Sequence, residues 1–192
     1  MADTNKMAPP TAAAPVQAEA CPMCKKVHEE SFKAAFERLK KGPRLLAKAL
    51  RGMKKKTPDR SYAPGKWTIR EIVCHLRDCE LVYSGRYRKL VAEDNPTLMA
   101  FDQDRWADQT LYAKQDWQEA KATFDALRET NIEMLELVDS AARERRGTHA
   151  EYGTLTIDLL VRHIVEHDRN HIEQILKARE AKVKKLQPEK VS

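Results

Sequence analysis

Glycine is scarce in this chain. Six glycines among 192 residues imply few tight turns. Aromatic residues make up only 6%, so the core rests mainly on aliphatic side chains. Cysteine is also sparse: four in a chain of this size do not form a disulfide framework. No run approaches the ~18 apolar residues of a membrane-spanning helix. The opening MADTNKMAPPTAAAPVQAEA lacks an apolar core behind a basic start, so it does not read as a secretion signal. These absences point to a cytoplasmic protein with reduced thiols and no membrane association. No segment alternates apolar and polar residues at period two for more than a few positions, which argues against sheet.

What is present favours helices. Hydrophobic residues at 42% suffice for one ordinary core, and 33% charged residues suit long helices with solvated outer faces. A net charge of +6 is mild. Nucleic-acid binding would need a basic face interleaved with aromatics, and none is visible.

Along the chain, residues 1–27 read as a disordered tail rich in Ala and Pro that ends in Cys21-Pro22-Met23-Cys24. The CxxC has metal-binding or redox spacing, yet a closed tetrahedral site would need a second pair or a partner chain. The simplest reading is of incidental or weakly metal-binding cysteines at a helix entrance. Residues 28–182 read as the folded domain, and 183–192 as a basic tail. A first helix spans about 29–51, with Phe32, Ala35, Phe36, Leu39, Leu46 and Leu50 on its apolar side. Gly42-Pro43 predicts a kink or short break within it.

Thr68-Ile69-Arg70-Glu71 is a capping box that opens a second helix, with Trp67 placed to fold over its first turn. That helix runs to about Glu93 and places His75 on one stripe with Ile72, Cys79 and Val82. A connection of roughly twenty residues follows, from Asn95 to Gln115. Long unstructured connections often cover a functional site. Asp116 with Glu119 repeats the capping signature for a third helix reaching Val138. A polar loop, 143–153, leads to a fourth helix from Thr156. The fold class predicted is all-α, an antiparallel four-helix bundle with a long connection between helices two and three.

The fourth helix gathers three of the chain's six histidines. His163, His167 and His171 recur every four residues, so they share one face, rising ~6 Å per step. That face also holds Ile157, Leu160, Ile164 and Ile175, and should point inward. A single inward histidine is ordinarily a core residue bonded to a carbonyl. An i, i+4 pair can hold one metal ion through neutral nitrogens, but a catalytic metal needs a third protein ligand. His75 is the natural third ligand, because His28 and His149 sit near polar segment ends.

Two stretches carry a family resemblance: Gly65-Lys66-Trp67-Thr68-Ile69-Arg70-Glu71-Ile72-Val73-Cys74-His75-Leu76, and His167-Asp168-Arg169-Asn170-His171-Ile172-Glu173-Gln174-Ile175. Over roughly residues 29–180 the chain resembles the DinB-like superfamily, which includes bacillithiol and mycothiol S-transferases and mycothiol-dependent maleylpyruvate isomerases. The resemblance implies a four-helix bundle holding a divalent transition metal on His75, His167 and His171. Imidazole ligands suit zinc, nickel or iron alike. His163 then falls outside the triad, as an outer partner, an alternative ligand or a packed histidine. Cys79, one turn beyond His75, reads as a core thiol. Asp168 stands where a zinc protease of the HExxH type has its glutamate, so proteolysis is a poor reading.

The expected function is a metal-dependent enzyme acting on a small molecule. It would transfer a low-molecular-weight thiol to an electrophile or perform hydrolysis, the thiol version resting on the resemblance alone. The alternative is a non-catalytic, stress-associated metal-binding or interaction protein. Either is compatible with a homodimer.

Overall fold

The computed structural model describes Cys21, Met23 and residues 30–181. The sequence expectations for the rest of the 1–27 tail, including Cys24, and for the 183–192 tail lie outside the described residues. Within them, Cys21 is buried and Met23 packs against the core beside Tyr83. That docked position is not anticipated by the composition of the segment.

Four long helices form the bundle: α1 (Phe32–Leu50), α2 (Ile69–Ala92), α4 (Trp117–Leu137) and α6 (Ile157–Glu180). Short polar side chains start each one. Ser31 accepts from the Ala34 amide, Thr68 from Glu71, Asp116 from Gln118 and Thr156 from Leu159. At α2 the capping box is complete, since Glu71 also accepts from the Thr68 amide at 2.7 Å.

Cross-helix bonds define the directions. Arg38 pairs with Glu166, and Arg179 donates to the Ala49 carbonyl, so α1 and α6 run the same way. Arg70 reaches the Gln115 carbonyl, Glu80 pairs with Arg128, and Arg88 donates to Asn131, so α2 and α4 also run together. The two pairs are antiparallel to each other, as His75 facing His171 and Tyr83 facing His163 require.

This arrangement explains the long connection. Because α4 runs parallel to α2, the chain must travel back along about 36 Å of helix before α4 can begin. The crossover is not structureless as expected. It contains β1 (Thr97–Leu98), α3 (Gln103–Gln109) and a 3-10 turn at Tyr112–Lys114. The polar loop is likewise structured, into a short α5 (Ser140–Arg143), β2 (Arg146–His149) and β3 (Gly153–Thr156). The strands form a small sheet in the order β1-β2-β3, parallel and then antiparallel. Period two is present in β2, but its inward positions are Gly147 and His149, which carry no apolar signal.

Of the kink or short break expected at Gly42-Pro43, the break does not occur: α1 continues through both residues. Proline 43 cannot donate to the Leu39 carbonyl one turn back. The Arg128 guanidinium, reaching across from α4, donates to that carbonyl at 3.3 Å instead. Gly42 gives it room: a Cβ there would lie 2.7 Å from Arg128 Nη1.

Two apolar clusters fill the interior. One gathers Leu39, Tyr87, Leu90, Leu135, Leu155 and Leu160, and the other Leu46, Ile72, Leu76, Phe124 and Ile175. Between them runs a polar level made by Gly42 on α1, His75 and Glu80 on α2, Arg128 and Asn131 on α4, and His167 and Asp168 on α6.

Candidate metal centre and its cavity

His75 and Cys79 stand one turn apart on α2, and His167 and His171 one turn apart on α6. Because the helices are antiparallel, both pairs meet at the polar level. His75 Nε2 and His167 Nε2 are 3.0 Å apart, and His167 Nε2 and His171 Nε2 are 3.2 Å apart. Two nitrogens bound at 2.0–2.1 Å to one tetrahedral ion are about 3.3–3.4 Å apart. The donor set therefore fits a divalent metal. Cys79 Sγ lies 3.4 Å from His75 Nε2 and 3.9 Å from His167 Nε2, so His75, Cys79 and His167 have the mutual spacing of metal ligands. The sequence reading takes Cys79 as a core thiol, with contact to the metal as the lesser alternative. Its burial at the end of the apolar stripe agrees with that, but its sulfur also faces the imidazoles.

His75 and His171 are held neutral. Burial, then the neighbouring His167 and His171, keeps His75 well below its ordinary pKa. Burial, then His167, lowers His171 to about 3. Its Nδ1 lies 3.0 Å from Gln174 Oε1, a partner that orients the ring and leaves Nε2 as a lone pair toward the cluster. Burial, then the carboxylates of Asp168 and Glu80, pushes the Cys79 thiol well above its usual value. The Trp67 ring, placed by the turn before α2, sits 4.7 Å from the His75 ring and 6.3 Å from that of His171. Phe101 from the crossover approaches His75 at 6.4 Å.

Asp168, next to His167, reaches across to α4. It meets Arg128 at 2.9 Å, and Arg128 meets Glu80 at 2.7 Å. Asn131 donates to the second Glu80 oxygen at 3.1 Å. Burial alone would raise the Asp168 carboxyl, but Arg128 and His167 together outweigh it and hold the group below its ordinary value.

His75, Cys79 and His167 open onto a cavity of about 680 Å³. Its walls continue along α2 with Tyr83 and Arg86 and along α6 with His163. Phe101 of the crossover and His149 and Tyr152 of the hairpin complete it. The long connection thus covers the site, as its length suggested. His163 is in the wall, its Nδ1 2.7 Å from the Tyr83 hydroxyl. His149 corrects the sequence reading. It is buried at 1% exposure although it stands at the end of a polar segment, and burial and the adjacent Arg86 hold it below its ordinary pKa. His28 and Cys24 lie outside the described residues. Tyr83 and Arg86 extend the His75–Cys79 stripe by one and two further turns, a signal the sequence did carry. Trp67 was legible as a residue of the first turn, not as a neighbour of the histidines.

Comparison with known proteins follows these features closely. The sequence pattern of the DinB superfamily matches residues 38–175. A protein of Bacillus mycoides named "Putative metal-dependent hydrolase" is 25% identical over 154 residues, 80% of this chain and 88% of its own. One of the same description from Oceanobacillus iheyensis is 26% identical over 133 residues, 69% and 77% of the two chains. Among solved structures, YfiT from Bacillus subtilis superposes with a TM-score of 0.73 at 19% identity, covering 91% of this chain and 93% of its own. It is described as a "probable metal-dependent hydrolase with an unusual four-helix bundle topology". A mycothiol-dependent maleylpyruvate isomerase superposes with a TM-score of 0.64 at 10% identity over 77% and 62% of the two chains. The matched pattern begins within α1 and ends within α6, spanning well over half of the chain, and the chain belongs to the DinB superfamily.

Proposed function

We propose that this protein is a metal-dependent enzyme acting on a small molecule, with one divalent ion held by His75, His167 and His171. The observation that carries the reading is that His167 Nε2 lies 3.0 Å from His75 Nε2 and 3.2 Å from His171 Nε2, with His75 and His167 facing an open cavity. A bound divalent ion would supply Lewis-acid chemistry, acidifying a coordinated water or thiol and polarising a carbonyl. Hydrolysis and transfer of a low-molecular-weight thiol to an electrophile both draw on that chemistry. The relatives' names favour the first, and the isomerase neighbour favours a small thiol as partner. Within the cavity, Tyr83 and His163 share a short hydrogen bond, so a proton can pass between this pair and a substrate. Trp67 and Phe101 flank the histidines and limit water access. The setting is cytoplasmic; among the described residues no helix is long and apolar enough to cross a membrane.

A non-catalytic metal protein is the second reading. Structural metal sites are closed and catalytic ones keep an open position, so the cavity beside His75 and His167 favours the enzyme.

Calorimetric titration of the metal-free protein with zinc or nickel tests the site. One ion per chain is expected. His75→Ala, His167→Ala and His171→Ala should each abolish binding, or weaken it beyond the ~10–100-fold that an outer partner is worth. His163→Ala should stay within that range. Parent-like affinity in the His75 variant, with loss in the His163 variant, would place the site within α6 alone and overturn the triad. A screen of the loaded protein against ester, amide and thiol–electrophile pairs then separates hydrolysis from transfer.

A further inference from the structure

Arg86 stands eleven residues beyond His75 on the same helix, a rise of about 16 Å, and lines the same cavity. Its side chain is 4% exposed. Nε and Nη2 donate to the Met99 carbonyl at 2.9 and 2.6 Å, and Nη2 also lies 3.0 Å from His149 Nε2. Both partners are neutral, because His149 is held below its ordinary pKa. No carboxylate pairs with Arg86 among the described residues, in contrast to the buried Arg128, which has two. Nη1 has no hydrogen-bond partner among the described residues, and it is not one of the fully enclosed polar atoms.

A buried guanidinium is costly unless paired. Here the backbone carbonyl and the imidazole fix the fork in place while two N–H donors remain for an incoming group. Each free Nη1–H can donate a charge-assisted hydrogen bond to a carboxylate oxygen. Two acids share the cavity wall, but both are exposed and occupied. Asp102 caps α3 by accepting from the Asp104 and Arg105 amides, and Glu151 pairs with Tyr152.

We propose that the cavity binds small molecules bearing a carboxylate, which Arg86 holds about three helical turns from the reactive end at the histidines. This rests on the cavity being the substrate site. It adds to that reading a substrate class and a length: a carboxylate at one end and the reacting group at the other.

The test uses straight-chain ω-mercapto acids, from mercaptopropionate through mercaptohexanoate to mercaptoundecanoate, each beside its primary amide. Binding is measured by calorimetry, with and without metal. The acid should bind about 10–100-fold more tightly than its amide, the range for a hydrogen bond to a charged group. The preference should peak at one chain length. Arg86→Gln, which keeps a donor for Met99, should erase the acid–amide difference, and Arg86→Lys should retain part of it. Metal stoichiometry should be unchanged in both. The proposal falls if acid and amide bind alike, if no acid binds the parent, or if folded Arg86→Gln keeps the preference. Should Arg86→Gln not fold, the acid–amide contrast in the parent decides alone. Failure of the parent to bind metal sinks the metal reading. The contrast measured on metal-free protein is judged separately.

Discussion

Two polar clusters share one level of this bundle, and consecutive residues of α6 divide between them: His167 joins one and Asp168 the other. Around Arg128 every charge has an opposite charge at hydrogen-bond distance, with Asn131 and the Leu39 carbonyl using further capacity. Around His167 the reverse holds, since three imidazole nitrogens face one another and burial keeps His75 and His171 neutral. Charges that complete each other make a joint between helices. Lone pairs that face each other make a place for something else. Arg128, Glu80, Asn131 and Asp168 are all buried, whereas His75 is buried and His167 and His171 only half-buried, so access as well as complementarity separates the two clusters.

The sharpest way to break this contrast is Arg128→Ala. It strands Glu80 and Asp168 as uncompensated buried charges, for which a loss of about 3–5 kcal/mol is expected in denaturant unfolding. His75→Ala in the metal-free protein should cost far less, because no favourable pair is lost. Equal losses from the two would end the distinction. A smaller effect is expected from Gly42→Ala, whose methyl would sit 2.7 Å from Arg128 Nη1 and 3.3 Å from Asp168 Oδ2. Crowding of this kind costs about 1–3 kcal/mol. A neutral result would mean that the Arg128 cluster is loosely packed.

The smallest effect concerns His149, which belongs to neither cluster. Its pKa is lowered by burial and then by Arg86, against a weaker opposing influence from Glu151. As pH falls below about 6.5 the unfolded chain therefore takes up the proton first. Stability conferred by the neutral ring is present above that pH and is lost below it. Melting curves between neutral and mildly acid pH should show the parent declining relative to His149→Gln. Parallel curves would mean that His149 does not couple to folding.

The helices and the triad positions were legible because their signals are local and repeated. A capping box announces α2, and histidines four apart necessarily share a face. The small sheet was not legible, because β2 builds its inward face from Gly147 and His149. The residues of the cavity wall were missed for another reason. Phe101, His149 and Tyr152 come from the crossover and the hairpin, and only the return path of the chain between α2 and α4 brings the crossover over the histidines. The continuity of α1 was hidden too, because its remedy lies on another helix.

That last feature makes part of α1 a non-local structure. Sequence alone gives its two halves, on either side of Gly42-Pro43, no reason to be collinear. The bond that bridges them comes from Arg128, eighty-nine residues later in the chain. A peptide covering residues 31–51 should consequently be poorly helical around Leu39 in solution. In the folding chain, the bond across Gly42-Pro43 would have to wait for α4 to arrive, so a helix that is first in sequence would be completed only after a later one.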